Sequence, residues 1–231
     1  MTKCFNKVCL YLCLLLQTAF TSLLADCGQL NPRRIAASEV QVWKAYYCKD
    51  GSAVLNYLSD MFASQFGILS SEEAHVLASK FARAAMVFGS LPPGSTPNEV
   101  YSEKVLPFVV DAFIEIKEII GGSWAPQEAA EYELRWWVDR RIASQRDPEI
   151  VAGSMSRVWQ IMFGLSGKEE FDKAAYLRAM AARYRDRCSH EWHGLKEQDW
   201  DTIQYLLEQA YSEYTVGLSK AQGPSPLPGD K

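Results

Sequence analysis

A chain of 231 residues, 48% hydrophobic and 23% charged, has ordinary globular composition, with enough apolar material for one sizeable core or two small ones. Its formal charge of −4 lacks the basic footprint that phosphate backbones attract, which argues against nucleic acid as a partner.

The first element differs from everything after it. Lys3 and Lys7 precede an uncharged run from Val8 to Leu16, and Gln17 to Ala25 continues with smaller and more polar residues. That order predicts a secretory signal peptide over 1–25, cleaved after Ala25. Val8 to Ala25 also just reaches the minimum length of a membrane span. An anchor retained through residues 8–25, on an interaction protein facing the cytoplasm, is therefore the alternative, and a buried helix is a third reading. Cleavage would remove two lysines and take the net charge from −4 to −6. The mature chain is then expected to be periplasmic or envelope-associated in a bacterium, meeting the membrane only through its N-terminal segment.

Cys4, Cys9 and Cys13 fall inside that segment, leaving Cys27, Cys48 and Cys188. An oxidising compartment would pair two of these three. If Cys27 is acylated as a lipoprotein cysteine, Cys48 pairs with Cys188; otherwise Cys27 pairs with Cys48. Leu24-Ala25-Asp26-Cys27 is similar to a lipobox, but Asp26 stands where a small residue is wanted. Without export all three stay reduced.

Residues 26–37 are expected to form an arm, and the pattern is helical almost throughout from Ser38. Ser38 can cap a helix that ends at Lys49-Asp50-Gly51, and Ser52 opens one that Gly67 stops. Ser70, with Glu73 at the capping-box position, starts a third that runs to Gly89. Three prolines and a glycine in Ser90 to Asn98 break the chain. A long helix follows over 98–120, which Pro107 either kinks or restarts at Leu106. Gly121-Gly122 ends it, and Ser123 to Pro126 begins the next. Asp147-Pro148-Glu149 supplies an N-cap, a proline at the first helical position and an early acid. Two more helices, about 168–188 and 198–218, precede a tail over 221–231 that should be disordered. The expected architecture is all-α, a compact bundle of seven or eight amphipathic helices in one domain over 38–220, with a subdomain split near 90–98 as the alternative.

Two segments concentrate arginine. In Tyr132 to Ile142, YELRWWVDRRI, the three-and-four rule puts Leu134, Trp137, Val138 and Arg141 on one face, and Glu133, Trp136 and Arg140 on another. Adjacent tryptophans point about 100° apart, so this helix is apolar over a wide arc and should be central. In Ala174 to Cys188, Arg178, Arg183 and Arg185 surround an apolar stripe, and the alanines allow close helix approach. Facing each other, Arg135, Trp136, Trp137, Arg140 and Arg141 with Arg178, Arg183 and Arg185 would wall a cationic pocket for a small anionic ligand. The plainer reading makes the same residues a structural wedge, with ion pairs between helices and arginine stems packed on tryptophan. The arrangements WWVDRR and AARYRDR resemble segments of helical bacterial proteins and imply no catalytic residue.

Cys188, His190 and His193 are the one cluster of soft and borderline metal ligands, and zinc is the ion they would suit; they also close a helix, where histidine is favoured by free carbonyls. Glu72 and His75 form a single Glu-x-x-His, half of what a di-iron site needs. Glu131, Glu133 and Asp139 are carboxylates without a defining pattern, and nucleophile and phosphate-loop motifs are absent. The expectation is an exported helical binding or interaction protein without evident catalysis, its partner an unknown protein or a small anionic ligand. The alternative is a small metal-dependent or acid/base helical enzyme.

Overall fold

The computed structural model describes residues 30–93, 98–142, 145–190 and 194–222. The expected signal segment over 1–25, Cys27, His193 and the tail beyond 222 lie outside the described residues. Among those described, the fold is all-helical with nine helices rather than seven or eight: α1 Pro32–Tyr47, α2 Gly51–Phe66, α3 Ser71–Ser90, α4 Asn98–Lys104, α5 Leu106–Ile120, α6 Pro126–Asp139, α7 Pro148–Phe163, α8 Lys168–His190 and α9 Glu197–Gln222.

The extra helix comes from Pro107. Proline cannot donate the hydrogen bond that a continuous helix needs at that point, so the chain stops at Lys104 and restarts at Leu106 with Pro107 in the first turn. The first helix also begins six residues before Ser38. Asn31 accepts a hydrogen bond from the Arg34 amide at 3.1 Å and Pro32 opens the helix, so Pro32 to Ala37 are helical and not an arm. The second helix opens at Gly51 and not at Ser52, because the Asp50 carboxylate accepts from the Ala53 amide at 3.0 Å and caps it. Two other expected caps form. Ser70 caps α3 through the Glu73 amide and Asp147 caps α7 through the Glu149 amide. Gly67, Gly121 and Gly164 end α2, α5 and α7 with positive φ, which side-chain-bearing residues rarely adopt.

Each long helix packs mainly on its neighbours in the chain: α1 on α2, α2 on α3, α3 on α5, α5 on α6, α6 on α7, α7 on α8 and α8 on α9. α9 then returns to α1, so the eight longer helices close into a ring, with α4 bridging α3 and α5. Short connections make ring neighbours antiparallel. The C-terminal ends of α1, α3, α6 and α8 therefore share one end of the ring. No helix among the described residues is long and apolar enough to cross a membrane.

Side chains between neighbouring helices form the core. Tyr211, Tyr214, Phe113 and Phe171 are among its largest fully buried members, each contributing about 1.5–3 kcal/mol through burial. The turn that leads into α8 approaches α9 closely. A Cβ on Gly167 would lie 2.3 Å from the Gly217 carbonyl oxygen, and one on Gly217 would lie 2.7 Å from the Phe171 ring. In contrast, a Cβ on Gly153, exposed within α7, would meet nothing within 4 Å. Gly167→Ala should lower stability by about 1–3 kcal/mol through backbone overlap. Gly153→Ala should raise it by about 1 kcal/mol by removing helix-interior glycine. Urea unfolding of the two variants checks both signs.

Candidate functional site

The centre of the ring is not packed solid. A cavity of about 650 Å³ lies there, and all eight ring helices contribute to its wall. One side is aromatic and aliphatic: Phe62 from α2, Phe81 and Phe88 from α3, Phe113 from α5 and Trp159 from α7. These rings also pack on one another, with Phe62–Phe81 centroids 4.9 Å apart and Phe81–Phe113 centroids 5.8 Å apart. The other side, built by α1, α6, α8 and α9, is polar.

Two ion-paired nodes organise that polar side. In the first, Glu39 of α1 is 1% exposed. It accepts from Arg178 Nη2 at 2.6 Å and Nε at 2.9 Å, and from the Tyr211 hydroxyl at 2.7 Å. Burial, followed by the Glu39 charge, pushes the Tyr211 phenol far above its usual range, so it stays a donor. In the second node Asp186 accepts from Arg140 at 3.1 Å and from Arg185 at 3.0 Å. Burial would raise the Asp186 carboxyl, but Arg140 and Arg185 outweigh it and hold the group below the ordinary carboxylate range. Arg140 also reaches the Tyr47 hydroxyl at 3.3 Å, and the Arg185 guanidinium stacks 3.2 Å from the Tyr47 ring centroid.

Glu133 stands between the nodes on α6 and accepts from Trp137 Nε1 at 3.0 Å. Part of its surface stays accessible, yet the packing around it raises its pKa, against the opposing pull of Arg178 and the two neighbouring indoles. The Trp136 indole N–H is close enough to act on this carboxyl but makes no hydrogen bond. Three further donors on the cavity wall are buried without a hydrogen-bond partner: Nε of Arg140, Arg146 and Arg185.

Of the residues expected to form the cationic, tryptophan-walled pocket, Trp136, Trp137, Arg140, Arg141, Arg178 and Arg185 all line this cavity. Arg135 does not: it is exposed on α6, over the Tyr132 ring. Arg183 does not line it either, because it sits on a different face of α8 from Arg178 and Arg185, which are seven residues apart. The wedge reading describes the same side chains. Trp137 packs on Phe88 at 5.3 Å and Trp136 lies under Arg178 at 5.0 Å, and the arginines form the interhelical ion pairs expected of that reading.

The sequence reading missed Glu39, Asp186, Arg146, Tyr47 and Tyr211 as cavity residues. Glu39 was legible in principle: with α1 begun at Asn31, it interrupts the stripe of Ile35, Ala36, Val40 and Trp43, and an acid in an apolar stripe requires a buried partner. Starting the helix at Ser38 instead places it in a first turn, where an acid needs none.

The other candidates do not join this site. Cys48 is exposed and Cys188 buried, and among the described residues the two are not bonded to each other; the helices hold one at a surface turn and the other inside. The pairing of Cys27 with Cys48 falls on residues outside the description. Burial raises the Cys188 thiol pKa, helped by nearby Asp199, which works against a zinc thiolate there. The His190 side chain and His193 lie outside the described residues, and among those described no three metal-ligating side chains cluster. Glu72 and His75 are exposed on α3, away from the cavity wall. Glu131 is exposed as well. No family model matches this chain, and no curated protein or solved structure matches it either.

Arg178→Met would leave the Glu39 charge buried with one neutral donor. It should cost about 3–5 kcal/mol in chemical unfolding. Glu133→Gln keeps an acceptor for Trp137 and removes a titration. Because folding raises the pKa of Glu133, its contribution to stability is complete below the unfolded value of about 4.3 and is lost as pH rises through the folded value. The melting temperature of Glu133→Gln relative to the parent should therefore climb between pH 4 and neutrality and then level off. A pH-independent difference would contradict the shift.

Proposed function

We propose that this chain is an exported binding protein of the bacterial envelope whose ring of helices holds a small, largely apolar molecule at its centre. The observation that carries this reading is the aromatic cavity itself. Its volume of about 650 Å³ lies within the range of small-molecule sites, and its wall combines apolar rings with a few convergent polar groups. The space is open to solvent on one side and sits at the meeting point of all eight ring helices, so it is better explained as a site that a molecule fills than as a packing defect. Export is supported by Lys3, Lys7 and the uncharged run that follows them, and the two free thiols are compatible with either side of a membrane.

The test is titration with N-phenyl-1-naphthylamine, a neutral probe that fluoresces in apolar surroundings. One probe should bind per chain and quench tryptophan, since Trp43, Trp136, Trp137 and Trp159 line the cavity. Ala85→Phe, which projects a ring into the same space, should lose most of that binding while keeping its helical content. Failure of the folded parent to bind the probe would sink the reading. The location is checked by intact mass from the native host: a chain beginning at Asp26 is expected, and a full-length chain would overturn export.

A further inference from the structure

The chemistry of the polar wall points to the class of molecule, given that the cavity is the binding site. Five arginines line it, Arg140, Arg141, Arg146, Arg178 and Arg185, against three carboxylates, Glu39, Glu133 and Asp186. Five less three leaves the cavity at +2 inside a chain whose net charge is −4. The excess rests on Arg141 and Arg146, both half-buried, because Arg140, Arg178 and Arg185 already pair with Asp186 and Glu39.

The unpartnered donors sharpen this. Nε of Arg140, Arg146 and Arg185 are buried without an acceptor, and an unmet buried donor costs about 1–3 kcal/mol, more when it is charged. Arg140 and Arg185 converge on the same carboxylate, Asp186, so two of these groups belong to one corner of the wall. An oxyanion in the cavity answers the net positive charge directly, and a turn of a guanidinium group brings its unmet Nε, which lies just behind the accessible wall, to the same anion; a neutral carbonyl answers only the second need. Planar guanidinium groups suit carboxylate and phosphate oxygens in particular. The aromatic side, with Phe81, Phe113 and Trp159, has no such groups to offer and takes the apolar part of the molecule.

We infer that the cavity takes a single-tailed anionic amphiphile, its carboxylate or phosphate head against Arg140, Arg146 and Arg185 and its body among Phe81, Phe113 and Trp159. The head-group end is the one at which α1, α6 and α8 end. This follows because Tyr47 closes α1, Arg140 caps α6, and Arg185 and Asp186 belong to the last turns of α8.

Calorimetric titration of the purified chain with four probes sharing one tail tests this: dodecanoate, dodecyl phosphate, dodecanol and dodecyltrimethylammonium, each below its micelle concentration. At least one of the two anions should bind about tenfold or more tightly than dodecanol, and the cation should bind worst. Whichever anion binds better identifies the head. Arg146→Gln and Arg185→Met should each weaken anion binding much more than dodecanol binding, and so erase most of the preference, with helical content unchanged. Arg185→Met still leaves Asp186 paired with Arg140, so that tie between α6 and α8 is kept. Equal affinity for dodecanol and both anions, or variants with undiminished selectivity, would overturn the head-group assignment and leave the cavity reading standing. Should none of the four bind while N-phenyl-1-naphthylamine does, the amphiphile assignment fails alone. If that probe fails too, both readings fall.

Discussion

The carboxylate of Glu39 is the constraint around which the fold closes. A charge buried to this degree is tolerated only where donors meet it on both oxygens, and they come from Arg178 and Tyr211, 139 and 172 residues away in the chain. Three helices must therefore sit at one axial setting: α1, at the beginning of the ring, with α8 and α9, at its end. Apolar side chains at the same positions would hold the helices as firmly, since buried ion pairs seldom add net stability over well-packed hydrocarbon. They would also tolerate a slide of a turn, because Leu, Ile and Val contacts are not directional. With Arg178 Nε and Nη2 both donating to one Glu39 oxygen and Tyr211 donating to the other, the contact admits no such slide.

Ring closure in turn creates the cavity. Two layers of helices bury their apolar stripes against each other and leave no interior space. Eight helices that pack mainly on their ring neighbours enclose an axis that side chains must fill alone. Here large aromatics reach inward from α2, α3, α5 and α7 and still leave room. The charged groups belong on the remaining wall for an electrostatic reason as well. Arg140 caps α6, and Arg185 lies in the last turns of α8, where free carbonyls and the negative ends of helix dipoles favour cations. Packing, ion pairing and the proposed ligand recognition thus draw on the same arginines, which is why the wedge and pocket descriptions of Trp136 and Trp137 do not compete. One indole lies under Arg178 and the other against Phe88, and both line the cavity.

By itself, the sequence determined the helical class, the break after Ser90, the caps at Ser70 and Asp147, the glycine stops and the pair of helices that carry the arginines. All of these follow from chemistry within a few residues: a side-chain oxygen meeting an amide three positions on, a proline without a donor, an apolar period of three and four. Where two local signals competed, as with Ser38 against Asn31-Pro32, the reading could fail by a turn and hide Glu39 with it. Only the tertiary structure decided that α9 returns to α1. It also decided that Arg178 and Arg185 turn inward while Arg135 and Arg183 do not, and that Cys48 and Cys188 stay apart. Those outcomes depend on which neighbours each helix meets, and partners such as Arg140 and Asp186 are 46 residues apart, beyond the reach of any local rule.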